Sequence, residues 1–151
     1  MKIELIVPAV EENARIPNLA LPLLASLSPP DVTLSFTDDL LTPIHLDKDL
    51  KEVDLVGITV MTKTALRAYE ISEAYRKKRI PVVLGGIHPT ALPEEAKKYA
   101  DSIVMGEAEE VWPQLIEDVK RGDLKPFYRQ GGYTTLSNIP IPRRDILPRR
   151  G

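Results

Sequence analysis

Residues 80–119 read IPVVLGGIHPTALPEEAKKYADSIVMGEAEEVWPQLIEDV, and the architecture can be inferred from this stretch outward. Two short apolar runs, IPVVLGG from Ile80 and DSIVMG from Asp101, have the length and the Val/Ile content of strands that are buried on both faces. A helix start lies between them, because Pro93 is followed by acidic residues that oppose the positive end of a helix. Apolar residues at helical spacing follow from Val111 to Val119. The alternation of strand and helix predicts a parallel sheet.

The same alternation extends towards the amino terminus. Buried strands are predicted for KIELIVP from Lys2 and DLVGITV from Asp54, whereas VTLSFTD from Val32 alternates apolar and polar residues and therefore suits an edge. Helical apolar stripes lie between the strands, at Leu19–Leu27 and Ala68–Tyr75. We therefore expect an α/β domain of the Rossmann-like (flavodoxin-like) type, with a five-stranded parallel sheet and helices on both faces. Such a sheet binds its ligands at the carboxyl ends of the strands.

The pattern changes after Gly122. Later prolines interrupt any helix, at Pro126, Pro140, Pro142 and Pro148. We expect a domain over residues 1–121 and an extended linker over residues 122–151. The proline-rich end has too few apolar residues in any regular period to form a core element, so we expect it to be poorly anchored or packed against a neighbour.

Composition excludes several classes of function. Lys+Arg of 20 against Asp+Glu of 22 leaves a formal net charge of -2, without a long run of one sign, so neither nucleic acid nor a membrane surface is an expected partner. No apolar run approaches the roughly 20 residues that cross a bilayer, and the chain starts directly with a strand, so the cytoplasm is the expected compartment. Cysteine is absent, so this chain alone can hold no disulfide, thiolate nucleophile or iron–sulfur cluster.

Each candidate for ligand binding falls in a loop that follows a strand. Gly85-Gly86 offers backbone that a bulky ligand could approach closely, although a tight turn with positive φ is the simpler explanation. Gly106 and Glu107 precede the last helix, where helix capping is the favoured alternative. Further candidates follow another central strand, and capping of the next helix is the alternative role of their hydroxyls. These are Thr59, Met61, Thr62 and Thr64.

The two histidines are far apart in the chain. His88 follows the glycine pair and is expected to line the ligand crevice, where it could fix the loop by a hydrogen bond, contact a ligand or, least of all, bind a metal. His45 is expected on a surface loop. A dinucleotide is not expected, because residues 7–17 after the first strand contain no glycine to cradle a phosphate, even though Asp38 and Asp39 stand where such folds keep an acid for a ribose.

Taken together, VVLGGIHPTALPEEAKKYADSIVMGEAEEVWPQLIEDV and the later LSNIPIPRRDILP resemble the cobalamin (vitamin B12)-binding domain of B12-dependent radical SAM enzymes. The pattern of that family has a strand, Gly-Gly, x-His-Pro-Thr, a Pro-Glu-Glu helix start, a short strand and Gly-Glu-x-Glu. The proline-rich string is similar to the connector that leads into the SAM-binding barrel of the family. The likeness runs from about Asp54 to Gly151, and Ala108 departs from it by standing where many relatives have glycine.

The resemblance implies where the ligand lies. Cobalamin would lie across the carboxyl ends of the strands, and its nucleotide tail would run beside Gly85-Gly86. Residues from Thr59 to Thr64 would flank the tail or the corrin ring, and Gly106-Glu107 would form the rim. His88 and Met61 belong to the same expected set of cofactor-binding residues, and no residue is expected to bind a metal directly.

The loop after the first strand bears on the cobalt ligand. The methionine synthase type of B12 domain carries Asp-x-His-x-x-Gly in this loop, whereas residues 10–17 here read VEENARIP, without a histidine. The resemblance therefore implies base-off binding without a protein imidazole on cobalt. By position alone, Asn13 and Arg15 are candidates to face the lower side of the corrin.

In this family a Cys-x-x-x-Cys-x-x-Cys motif holds the [4Fe-4S] cluster that cleaves S-adenosylmethionine, and the cobalamin often delivers a methyl group, while some members close rings or rearrange their substrates. Because this chain contains no cysteine, the resemblance places the cluster and S-adenosylmethionine in a downstream radical SAM domain of the same polypeptide, past Gly151. Two other functions stay open: an interaction or lid domain that has lost cobalamin, and a stand-alone binder of another nucleotide-like small molecule.

Overall fold

A computed structural model describes residues 1–9, 19–132 and 135–147 of the chain. The strands are β1 (Lys2–Val7), β2 (Thr33–Asp38), β3 (Leu55–Thr59), β4 (Val82–Gly85), β5 (Ser102–Met105) and β6 (Phe127–Arg129). The helices are α1 (Ala20–Leu27), α2 (Ala65–Lys77), α3 (Ile87–Ala91), α4 (Pro93–Lys97) and α5 (Val111–Lys120), with short 3-10 turns at Thr62–Thr64, Leu136–Asn138 and Arg144–Ile146. Among the described residues, no helix is long and apolar enough to cross a membrane.

All strands are parallel and lie in one sheet in the order β2-β1-β3-β4-β5-β6. The predicted Rossmann-like architecture is confirmed, and so is the edge position of β2. Pro93 occupies the start of α4, followed by Glu94 and Glu95 in its first turn, as the sequence predicted. Helices cover both faces, because buried residues of α1 and α5 pack on one face while those of α2 and α4 pack on the other.

The prediction of five strands is wrong by one, because β6 comes from the segment assigned to the linker. Tyr128 in the middle of β6 is buried, and its hydroxyl donates to Asp118 Oδ2 of α5 at 2.7 Å. That hydrogen bond lowers the pKa of Asp118, with help from Gln114, whose amide donates to Oδ1 at 2.9 Å. Burial, together with Asp118, raises the pKa of Tyr128 to about 12. This buried polar contact attaches the sixth strand.

No helix connects β2 to β3, and residues 39–54, all described, run as turns and irregular backbone, with Ile44 and Leu50 in the core on the face that α2 covers. A buried carboxylate holds this connection. Glu4 of β1 accepts hydrogen bonds from the hydroxyls of Tyr75 and Thr37 and forms an ion pair with Lys51, whose Nζ lies 2.8 Å from Glu4 Oε1. Because Glu4 is only 1% exposed, these partners are what make its burial tolerable.

Candidate ligand-binding site

A cavity of about 350 Å³ opens at the carboxyl ends of β3, β4 and β5, on the face of the sheet that α1 and α5 cover. Its walls are predominantly apolar. This is the place where a parallel sheet is expected to bind a ligand. The lining residues come from the three strands, the loop after β5, both helices and the C-terminal tail: Leu19, Ala20, Leu21, Leu23, Leu24, Gly57, Ile58, Thr59, Val83, Gly85, Gly86, Val104, Gly106, Glu107, Ala108, Glu109, Trp112 and Pro142.

Glycines on the covered face of the sheet create this space. A Cβ on Gly57 would lie 3.5 Å from the Trp112 ring and 3.1 Å from Leu5 Cδ2, so the missing side chain lets the indole lie against β3. Of the described residues, a Cβ on Gly85 would meet only Val104, at ordinary contact distances from 3.6 Å. The side chain that Gly85 lacks would therefore extend into the cavity. An isolated glycine in a strand marks such a close approach, and Gly57 could have been singled out from the sequence on that ground.

Trp112 forms a fixed wall of the cavity. It is only 2% exposed, and its indole N–H donates to Ser28 Oγ at 2.9 Å. The Ser28 hydroxyl in turn donates to the carbonyl of Leu24 at 2.8 Å. The indole donor is thus used within the protein, and the carbon atoms of the ring leave this wall apolar. Such a wall suits a flat aromatic group better than a hydrogen-bonding one.

Gly86 is required by its backbone geometry. It has φ of 112° and ψ of -169°, a region that only glycine adopts readily. A Cβ at this position would lie 2.7 Å from the carbonyl oxygen of Val60. That carbonyl accepts the His88 amide at 3.2 Å, and the Val60 amide donates to Gly85 at 2.8 Å. The expected tight turn with positive φ is therefore present, and the same residue also lines the cavity.

Thr90 connects the loops after β4 and β5. Its hydroxyl donates to the carbonyl of Gly86 at 2.7 Å and accepts the amide of Gly106 at 2.9 Å. Gly106 has φ of 76°, and no described residue comes within 4 Å of where its Cβ would stand. Gly106 and Glu107 both line the cavity, and so does Gly86. The structure thus brings together two of the loops that the sequence predicted to meet.

The threonine segment after β3 divides into two parts. Thr59 lines the cavity. Thr64 instead closes the turn before α2, because its hydroxyl accepts the amide of Met61 and donates to the carbonyl of the same residue, each at 3.0 Å. Thr62 Oγ1 lies 3.4 Å from Nδ1 of His88. Met61, Thr62 and Thr64 are not among the residues that line the cavity, and the hydroxyl of Thr64 is used within the 3-10 turn rather than as a cap of α2.

His88 lies outside the cavity lining described above, although the sequence predicted that it would line the crevice. It is only 5% exposed, and Nε2 lies 3.0 Å from the Tyr69 hydroxyl and 3.2 Å from Glu95 Oε1. Tyr69 also donates to Glu95 at 3.0 Å and stacks on Tyr99. Hydrogen bonds from Tyr69 and His88 lower the pKa of Glu95. His88 therefore joins α2, α3 and α4, which is the loop-fixing role that the sequence ranked first.

Asp39 is committed to structural contacts and is not available for a ribose. It is 1% exposed and accepts Nε of Arg67 at 2.8 Å, the amide of Ile44 at 2.7 Å and the amide of Ala9 at 3.0 Å. Burial alone would raise the pKa of Asp39, but the hydrogen bonds from Arg67, Ile44 and Ala9 outweigh it and hold the pKa below its usual range. This arrangement agrees with the absence of a glycine-rich phosphate loop.

Two predicted site residues, Asn13 and Arg15, lie outside the described residues. Within residues 1–9, 19–132 and 135–147, no group of three or more His, Asp or Glu side chains could hold a metal ion. The features that sequence reasoning missed are Gly57, the Trp112 wall and the contribution of the tail through Pro142.

Comparison with known proteins identifies relatives for most of the chain. The family model described as the B12 binding domain matches residues 46–116. Bacteriochlorophyllide d C-8(2)-methyltransferase of Chlorobaculum tepidum is 44% identical over 123 residues, which are 81% of this chain and 27% of that protein. The C-12(1)-methyltransferase of the same organism is 31% identical over 133 residues, which are 88% of this chain and 29% of that protein.

A solved structure has the same fold. The radical S-adenosylmethionine methyltransferase TsrM from Kitasatospora setae, solved with a tryptophan substrate and a SAM analogue, superposes with a TM-score of 0.68 at 20% sequence identity. The match covers 80% of this chain and 26% of that one. At this identity the likeness establishes the fold alone. The chain spans little more than a quarter of the length of these relatives.

Proposed function

This chain carries a domain of the B12-binding family, and from that premise we propose that it holds cobalamin at the carboxyl ends of its strands, with the nucleotide tail of the cofactor in the cavity between Gly85 and Trp112. The observation that carries the proposal is the cavity itself. It is apolar, it measures about 350 Å³, and it opens where parallel sheets bind ligands. A side chain on Gly85 would fill the space that a flat base needs.

The residues of the chain have two kinds of role in this proposal. Thr59, Gly85, Gly86, Gly106 and Glu107 contact the cofactor as lining residues. Other members of the expected set hold the loops that present these residues, and they are Met61, Thr62, Thr64 and His88. For the lower side of the corrin, Asn13 and Arg15 stay candidates by position. The protein thus supplies binding and orientation, which is what a cofactor domain contributes to the chemistry.

The whole protein is proposed to be a B12-dependent radical SAM methyltransferase. Its matched relatives are named methyltransferases, and bound cobalamin would supply the methyl group for transfer. The chain has no cysteine, so a [4Fe-4S] cluster and S-adenosylmethionine belong in this proposal to a downstream domain reached through residues 122–151. A cytoplasmic location is part of the same proposal.

Binding of cobalamin by the chain is the direct test. After mixing with hydroxocobalamin and desalting, we expect the protein fraction to keep the coloured cofactor at about one equivalent, as measured by the visible spectrum. Free hydroxocobalamin passed over the same column is the control and should be removed. Loss of all colour from the protein fraction would overturn the proposal in favour of a domain that keeps the fold without cobalamin, or of a binder of another nucleotide-like molecule.

We also propose base-off binding without a protein imidazole on cobalt. Residues 10–17 contain no histidine, and His88 is buried against Tyr69 and Glu95. We therefore expect His88→Ala to leave the spectral position of bound cobalamin unchanged, while the loss of a buried hydrogen-bonding group lowers the free energy of unfolding by about 1 to 3 kcal/mol.

Tyr69→Phe is the matched control for this variant, because it removes the hydrogen bond between Tyr69 and His88 but keeps the imidazole. Both variants should lose stability in chemical denaturation, and both should show the wild-type spectrum. A shift of the visible bands in His88→Ala but not in Tyr69→Phe would mean that His88 reaches the cobalt.

A further inference from the structure

The C-terminal tail folds back onto the domain instead of leaving it. Pro142 lines the cavity, and the amide of the next residue, Arg143, donates to the carbonyl of Pro22 in α1 at 2.9 Å. Both partners of this hydrogen bond are described residues that lie far apart in the chain. The expectation that the tail would be poorly anchored or packed against a neighbour is therefore wrong for the residues around Pro142.

The tail contact and the cavity share one helix. Leu21 and Leu24 of α1 line the cavity together with Pro142, while Pro22 of the same helix accepts the tail. A carbonyl oxygen has two lone pairs, so that of Pro22 can accept Arg143 in addition to a helical partner. Any ligand that fills the cavity therefore contacts both α1 and the residue that docks on it.

The tail also has the local order that docking needs. Proline restricts the backbone of Pro142, which lowers the entropy lost when the segment is held in place. A 3-10 turn at Arg144–Ile146 follows, and Arg143 Nη2 pairs with Asp145 Oδ2 at 2.8 Å. Ile141, the residue before Pro142, is 88% exposed and does not line the cavity.

We propose that the tail contributes Pro142 to the cofactor site, and that ligand occupancy and docking of Pro142 and Arg143 on α1 stabilise each other. This inference rests on the proposed binding of cobalamin in the same cavity. By thermodynamic linkage, the factor by which the docked tail tightens cobalamin binding equals the factor by which bound cobalamin favours the docked tail. The docked tail thereby senses whether the cofactor is present.

The first measurement compares two neighbouring substitutions in the full chain. Pro142→Asp places a charge in the apolar wall, so we expect its Kd for hydroxocobalamin to rise about 10-fold. Ile141→Asp adds the same charge to a side chain that points to solvent and should bind as the wild type does. Unfolding midpoints of both variants should match that of the wild type, which separates a local effect from a loss of fold.

The second measurement is hydrogen exchange of the peptide over residues 139–147, with and without hydroxocobalamin. Cobalamin should slow exchange of this peptide in the wild type and in Ile141→Asp by the same factor, and less in Pro142→Asp. Two results would overturn the tail proposal and leave the proposed function standing. In the first, the wild type binds cobalamin but its tail peptide exchanges at the same rate with and without the cofactor. In the second, Pro142→Asp and Ile141→Asp bind cobalamin with equal affinity. Absence of cobalamin binding by the wild-type chain would overturn both.

Discussion

Gly85→Leu is expected to weaken cobalamin binding strongly while the domain stays folded. The new side chain would start from a position where Val104 is the only described neighbour, at ordinary contact distances from 3.6 Å, and would extend into the cavity. Excess volume in a packed site costs about 1 to 3 kcal/mol, and 1.4 kcal/mol is a tenfold change in Kd. We therefore expect Kd for hydroxocobalamin to rise about 10- to 100-fold, measured by titration in the visible range.

Gly131→Leu is the matched control for this substitution. Among the described residues, nothing lies within 4 Å of where a Cβ on Gly131 would stand, and Gly131 does not line the cavity. This variant should bind as the wild type does, and both variants should unfold within a few degrees of it. Wild-type affinity in a folded Gly85→Leu protein would show that the cofactor tail does not enter this cavity.

Gly86→Ala is expected to destabilise the whole domain. The added Cβ would lie 2.7 Å from the Val60 carbonyl, and the backbone at φ of 112° is itself unfavourable for alanine. Backbone strain of this kind lowers the free energy of unfolding by about 1 to 3 kcal/mol. The shifts needed to relieve the clash with Val60 lower it by a similar amount. With about 2 to 4 °C of midpoint shift per kcal/mol for a chain of this size, thermal unfolding should begin roughly 10 °C lower.

Gly122→Ala separates the two sources of that effect. Gly122 also has positive φ, at 72°, but no atom of the described part of the chain lies within 4 Å of where its Cβ would stand. Alanine there should cost only about 1 to 2 kcal/mol, from the left-handed backbone alone. If calorimetry gave equal losses for the two variants, the contact with Val60 would have no energetic weight, and Gly86 would be an ordinary turn glycine.

The strands and their arrangement were predictable, because burial on both faces leaves a direct signature in the chain. The runs at Lys2 and Asp54 are dominated by apolar residues, whereas that at Val32 alternates, so even the edge position of β2 followed from its pattern. The strand β6 was not predictable in this way. It has only three residues. The burial of its central residue, Tyr128, depends on a hydrogen bond to Asp118 of α5, which lies ten residues earlier in the chain.

The site was predictable only at the level of which loops converge. Gly85, Gly86, Gly106 and Glu107 line one cavity because parallel strands end at the same edge, which is a property of the topology. The wall formed by Trp112 depends on how α5 lies over β3, and no periodicity encodes that. His88 shows the same limit, since its distance from the glycine pair in sequence does not reveal that its ring turns inward to Tyr69.

The strand order has a consequence for how the protein is made. From β3 to β6, each strand joins the sheet at the same edge, in the order in which the ribosome delivers it. Domains begin to fold during synthesis at about 5 to 20 residues per second, and this sheet can grow outward as translation proceeds. Its cavity, however, needs Trp112 and then Pro142. A nascent chain therefore has most of its sheet in place before the pocket beside that sheet is closed.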